Sequence, residues 1–234
     1  MENFLNIFLL GDVPNDLVSF TFFIGTMAMM AASVFFFLSL DAGGGKWRTS
    51  MLVSGLITFI AAVHYYYMRD ANVSGADVTF FRYVDWILTV PLMCVEFYLI
   101  LAKAGATKKL MWQLIGLSTV MLVAGYIGET GDSPVLYGTI SGIAYFVMVG
   151  MLWLGSPKAL AEKAGGSVLE AYNALCWFIL VGWSIYPIGY MIGTDGWYDF
   201  VDAIPLDMDV VYNIGDAINK IGFGLVIYNL AVSK

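Results

Sequence analysis

The hydrophobic positions of the chain gather into seven long runs. They cover about 15–40, 48–69, 79–102, 108–128, 134–155, 168–193 and 207–232. A helix needs roughly 20 mostly apolar residues to cross the hydrocarbon core of a bilayer, so each run predicts one spanning helix. The breaks carry turn chemistry: Asp41-Ala-Gly-Gly-Gly45, Asn72-Val-Ser-Gly75, Lys103-Ala-Gly105, Gly131-Asp-Ser-Pro134, Gly155-Ser-Pro157 with Gly165-Gly166, and Gly193-Thr-Asp-Gly196. All the breaks are short, so consecutive spans should be neighbours. The pattern predicts an all-α membrane protein, one seven-helix up-and-down bundle over 1–234. No soluble domain, low-complexity tract or repeat stands out.

Composition agrees. Of 234 residues, 60% are hydrophobic and only 12% charged, and mean hydropathy is +0.79. A soluble domain carries about 25% charged residues, so this chain belongs in lipid. The net charge of −7 excludes nucleic acid as a partner, because phosphate binding needs a basic stripe. Cys94 and Cys176 sit in apolar runs with no close Cys or His, and read as buried small apolar residues; no metal site is expected. No cleavable leader is obvious in Met1 to Leu10, which is short, lacks a basic start and is not followed by a small-residue cleavage site; a processed precursor is the alternative.

Charge orients the bundle. Lys46, Arg48, Lys103, Lys108, Lys109, Lys158, Lys163 and Lys234 all fall on one side, which the positive-inside rule makes cytoplasmic. Asp12, Asp16, Asp70, Asp77, Glu129, Asp132, Asp195, Asp199, Asp202, Asp207 and Asp209 fall on the other. The N-terminus is then outside and the C-terminus inside, in a multi-pass protein of the plasma membrane.

After the loops are assigned, five charges remain inside spans: Arg82, Asp85, Glu96, Asp216 and Lys220. A charge at the bilayer centre costs about 2.5–3.5 kcal/mol on insertion scales, so these five should face the bundle interior and interact. Arg82, Asp85, Thr89 and Glu96 keep to one helical stripe, and Asp216 and Lys220 stack at i, i+4. Mutually neutralising pairs that lock helices together are the plain alternative; a proton or ion path is the functional one. Lys220, in an apolar run, is the informative residue. Its amine is either neutral or consumed in a Schiff base with an aldehyde, and a protonated Schiff base needs a buried counter-ion, which Asp85 and Asp216 can supply.

Three stretches resemble the microbial rhodopsins, and within them the proteorhodopsin group of light-driven proton pumps. Span three holds Arg82-Tyr-Val-Asp-Trp-Ile-Leu-Thr-Val-Pro91, similar to R-Y-x-D-W-x-x-T-x-P. Span six holds Trp183-Ser-Ile-Tyr-Pro187-Ile-Gly-Tyr190, and span seven Asp216-Ala-Ile-Asn-Lys220, similar to the family's pocket and linkage motifs. The resemblance covers essentially the whole chain. It implies a pump rather than an enzyme, with all-trans retinal on Lys220 as a protonated Schiff base. Asp85 would be counter-ion and first proton acceptor, Asp216 the second carboxylate, and Arg82, one helical turn outward of Asp85, would tune its pKa and help direct release outward. Glu96, about 16 Å along the helix from Asp85, would be the donor, protonated in the dark. Family members that pump chloride, pump sodium or act as sensors differ at the positions of Asp85, Thr89 and Glu96, and this trio matches the outward proton pumps. His64 resembles a histidine that pairs with the counter-ion, so pumping should weaken at mildly acid pH; a satisfied structural histidine is the alternative.

Retinal contacts are implied for Trp86, Thr89, Met93, Met121, Gly125, Ser141, Trp183, Tyr186, Pro187 and Tyr190, where plain core packing is the alternative, while Tyr83 reads as core or interface belt. Met93 occupies what looks like the tuning position and implies green absorption. Gly138 in span five falls where carotenoid-antenna members carry glycine, which makes a hydroxylated carotenoid a candidate second pigment; a small residue packing helices is the alternative. A homo-oligomer of three, five or six copies is implied. No match appears to the paired outer glutamates that archaeal pumps use for release. Two other functions carry the same charges: a light sensor signalling through a membrane transducer, which Glu96 argues against, and a retinal-free transporter, whose inverted repeats and broken helices are not evident.

Overall fold

The computed structural model describes residues 16–194 and 207–233. Asp12, Asp195, Asp199, Asp202 and Lys234, assigned above to the two faces by charge, lie outside them. Among the described residues the structure is all helical, with seven helices long and apolar enough to span a membrane.

Helix α1 (Leu17–Leu38) starts at Asp16, whose carboxylate accepts from Ser19 N at 2.7 Å. That hydrogen bond holds the Asp16 carboxyl below the usual carboxylate range. Helix α2 (Arg48–Val73) follows a tight turn in which Gly43, Gly44 and Gly45 all have positive φ (58°, 76° and 74°), a conformation open to glycine. Helices α3 (Thr79–Leu101), α4 (Lys108–Thr130) and α5 (Pro134–Leu154) run on through short connections, and α9 (Met208–Val232) closes the ring against α1, α2 and α7. Asp207 N-caps α9 by accepting from Asp209 N at 3.0 Å.

Two expectations need correction. The stretch after Gly155 is not a loop. Ser156–Ala164 forms α6, with Pro157 in its first turn and Ala161 fully buried against the ends of α3 and α7. Span six is one spanning helix, Gly166–Ile192, but not α-helical throughout: α7 (Gly166–Leu180) and α8 (Ile185–Ile192) are joined through a 3₁₀ turn at Gly182–Ser184. Pro187 has no N–H, so it cannot donate to Trp183 O in an α-helical register. Carbonyls left by the break are taken up from neighbouring helices. Tyr145 Oη donates to Ile179 O (3.0 Å) and Leu180 O (2.9 Å), and Asn219 Nδ2 to Gly182 O (2.9 Å). Irregular backbone at this depth is tolerable only when satisfied by protein.

The bundle is apolar outside and polar within. Leu154, Phe146 and Trp112 are 90%, 65% and 63% exposed, as side chains facing lipid would be, while Arg82, Asp85, Glu96, Asp216 and Lys220 are all 4% exposed or less. Arg69 adds a sixth buried charge that the span assignment overlooked, with its guanidinium over the Phe23 ring. Glu129, expected in a loop, lies inside α4.

Candidate functional site

Lys220 and Asp216 are one turn apart on α9, and Asp85 faces them from α3. Lys220 Nζ donates to Asp216 Oδ2 at 2.6 Å and to Asp85 Oδ2. Two tyrosines fix Asp216: Tyr65 Oη donates to Oδ2 at 3.0 Å and Tyr186 Oη to Oδ1 at 2.7 Å. Asp85 Oδ1 is buried without a hydrogen-bond partner. One cation and two carboxylates thus share a buried volume, where charges persist only when paired and hydrogen-bonded.

A cavity of about 560 Å³ opens from Lys220. Trp86, Met93, Met121, Gly125, Ser141, Trp183, Tyr186, Pro187 and Tyr190, all expected pocket residues, line it, and so does Gly138. Thr89, expected among them, does not. Its hydroxyl donates back to Asp85 O at 2.9 Å, which turns it into its own helix. Tyr83, Tyr145, Tyr212 and Asn219 also line the cavity; the three tyrosines gave no pocket signal because aromatics in apolar spans also serve as core or interface. Trp86, Tyr186 and Tyr212 form a cage beside the acids, with ring centroids 4.9–5.9 Å apart.

The fit to retinal rests on this geometry. The volume lies within the range of about 300–1,000 Å³ usual for small-molecule sites, the wall is largely apolar and aromatic, and it carries a single lysine amine. An elongated apolar aldehyde matches that donor set.

His64 sits less close to Asp85 than expected. Nδ1 lies 2.9 Å from Ile60 O and 4.0 Å from Asp85 Oδ1, so its hydrogen bond goes to the backbone of its own helix. Arg82 differs more. Its Nη2 donates to Asp209 Oδ1 at 2.7 Å, away from Asp85. Asp209, assigned to the outer loop, belongs to the first turn of α9. The spacing Asp209, Tyr212, Asp216, Lys220 was the available signal, since it keeps one stripe. Glu96 is fully buried farther along α3; Ser54 Oγ is 3.5 Å from its Oε1, and Oε2 has no partner. No metal-ligand cluster occurs among the described residues.

Comparison with known proteins agrees with this architecture. The family model described as "Bacteriorhodopsin-like protein" matches residues 16–234. The blue-light absorbing proteorhodopsin of gamma-proteobacterium Hot 75m4 is 45% identical over 96% of this chain and 90% of its own length. The green-light absorbing proteorhodopsin of gamma-proteobacterium EBAC31A08 is 43% identical over the same shares. Among solved structures, blue light-absorbing proteorhodopsin from Med12 superposes with a TM-score of 0.77 at 38% identity, covering 92% of this chain and 98% of that one. Xanthorhodopsin, described as a light-driven ion pump with dual chromophore, superposes at 0.78 with 30% identity and 92% of both chains covered. With seven apolar spans and these relatives, the chain is a multi-pass membrane protein and belongs to the bacteriorhodopsin-like family of microbial rhodopsins.

Proposed function

We propose that the chain is a light-driven outward proton pump, with all-trans retinal joined to Lys220 as a protonated Schiff base. The observation that carries this reading is the placement of Lys220 on the wall of a largely apolar cavity, with Nζ bonded to both Asp85 and Asp216. Bound retinal supplies light-driven isomerisation of its polyene. Asp85 accepts the proton from Lys220 Nζ, since one of its oxygens already faces that nitrogen and the other has no partner. Asp216, held by Tyr65 and Tyr186, stays the fixed carboxylate. His64 acts on Asp85 through space across 4.0 Å. Glu96, sealed from water, returns a proton to Lys220 Nζ from the opposite side. Direction follows from side: the end carrying Lys103, Lys108 and Lys158 faces the cytoplasm by the positive-inside rule, Glu96 lies toward it, and Arg82 and Asp209 lie away from it. The functional unit is a homo-oligomer of three, five or six copies in the plasma membrane.

Illumination of retinal-supplied cells in unbuffered salt tests the reading. Acidification of the medium that a protonophore abolishes is expected. Light-driven alkalinisation, or no response from a coloured protein, refutes outward pumping and favours the sensor.

A second pigment has one observation in its favour. Gly138 lines the cavity beside Gly142, whose added Cβ would meet nothing within 4 Å, and the exposed Ile143 and Phe146 border it on the lipid side. A hydroxylated carotenoid could lie against that opening. Its addition should shift the carotenoid bands and add energy transfer to retinal, and Gly138→Trp should remove both effects; unchanged spectra refute the antenna.

A further inference from the structure

The cavity that holds Lys220 has a mouth on the lipid side. Thr139, Ile143 and Phe146 from α5 and Ile188 from α8 line it, and all four are also exposed, Ile143 by 59% and Ile188 by 46%. A side chain that borders an interior space and also meets the surroundings marks an opening. This one lies in the seam between α5 and the α7–α8 span, where contact is light, whereas α5 packs closely along α4. Two tyrosines bound the seam. Tyr190 Oη, on α8, donates to Pro134 O at the start of α5 at 2.7 Å. Tyr145 Oη, on α5, donates to Ile179 O and Leu180 O, where α7 ends. Between these ties α5 presents Gly138 and Gly142, one turn apart and both on the cavity wall, and a Cβ added at Gly142 would meet nothing within 4 Å.

A second approach to the cavity is an outer vestibule, since Glu129 and Tyr212 line both spaces. Asp77, Arg82, Glu129 and Asp209 make that vestibule polar and charged. A long apolar aldehyde taking that way would have to leave the bilayer for water, at a cost proportional to the apolar area exposed, and then pass those charges. The seam instead offers Ile143, Phe146, Ile188 and bare glycine backbone to a solute already dissolved among lipid chains.

Building on the reading that the chain carries retinal on Lys220, we propose that the seam between α5 and α7–α8 is the loading port: retinal enters sideways from the bilayer, past Gly142, Ile143 and Ile188. It enters aldehyde first, because the amine is inside and the polyene has to follow. At Lys220 the aldehyde and the ammonium condense to a protonated imine and one water. The carbon–oxygen double bond gives way to a carbon–nitrogen double bond, nothing is oxidised or reduced, and one positive charge stands between Asp85 and Asp216 before and after.

The test times the appearance of colour. Retinal-free protein is placed in bilayers, and all-trans retinal is supplied from a second population of vesicles. Ile188→Cys, labelled in detergent with a bulky maleimide before reconstitution, should colour more slowly than its unlabelled form by about tenfold or more, because the on-rate falls when the entrance is obstructed. Cys94 and Cys176 are buried and should take no label. Leu154→Cys, also on the lipid face but not on the cavity wall, is the labelled control and should colour at the parent rate. Labelling Ile188→Cys after the colour has formed should leave the absorption maximum in place, which separates an obstructed mouth from a deformed pocket. Equal rates in labelled Ile188→Cys and labelled Leu154→Cys overturn the port, and so does a maximum displaced by the late label. Ile143→Cys serves the same comparison if Ile188→Cys does not fold. Failure of the unmodified protein to become coloured would instead refute retinal binding, so the two failures are distinguishable.

Discussion

Replacing Lys220 with alanine removes the cation that both Asp85 and Asp216 bond, and the two acids it leaves behind are 0% and 3% exposed at the side chain. Breaking a buried ion pair by removing one partner costs about 3–5 kcal/mol, since the remaining charge has neither water nor counter-charge. At roughly 2–4 °C per kcal/mol for a chain of this size, the retinal-free variant should melt roughly 6–20 °C below the unmodified retinal-free protein at pH 7.5. The penalty falls on the charged form of the acids, so it acts where they are ionised and disappears below about pH 4, where the unfolded chain too holds its carboxylates protonated. Lys220→Ala with Asp216→Asn should recover a large part of the loss at pH 7.5 and little at pH 4. Neither variant should become coloured with all-trans retinal. Thermal melts of protein in nanodiscs, followed by intrinsic fluorescence at both pH values, measure the stability arm, and visible spectra the other. A Lys220→Ala protein that melts like the parent at pH 7.5, or that takes on the same colour, refutes the reasoning.

Glu96→Gln removes the acid proposed to return the proton, so reprotonation of Lys220 Nζ after a flash should slow by about 10²-fold or more, and added azide, a small weak acid, should restore the rate; an unchanged rate removes Glu96 from the path. Met93, 1% exposed and on the cavity wall, should set the colour: the parent absorbs green light, and Met93→Gln shifts the maximum to shorter wavelength, whereas an unmoved maximum places the tuning elsewhere. The near-equal identities to blue- and green-absorbing relatives leave that choice to individual residues. Asp16→Ala removes the N-cap of α1 and should cost about 1 kcal/mol. Because the Asp16 carboxyl is held below its ordinary range, that contribution is present above about pH 4 and fades as pH falls through it; equal stability of the two proteins at neutral pH would show the cap to be idle.

Much of this protein was legible along the chain. Span number and rough limits follow from hydropathy because every backbone group in lipid must bond within its own helix. The inward charges were legible as well, since a lysine or carboxylate in hydrocarbon has to face a partner, and the i, i+4 spacing of Asp216 and Lys220 put them on one face. The helix at Ser156–Ala164 was hidden by its own turn residues, since Gly155 and Pro157 signal a break and equally well the start of a helix. The turn at Gly182–Ser184 was hidden because its support comes from Tyr145 and Asn219 on other helices.

Only the folded bundle decided which partner each inward charge takes. Spacing placed Arg82 one turn from Asp85 but could not show that its guanidinium goes to Asp209, 127 residues away. Spacing placed Thr89 on the stripe but not the rotamer that returns its hydroxyl to the helix backbone. Tyr65 and Tyr186 became ligands of Asp216 only when three helices met. The difference is physical. Transfer from water to lipid acts residue by residue and leaves its mark in the order of the chain, whereas hydrogen bonds and ion pairs reach only a few ångströms and depend on the helices that packing brings into contact.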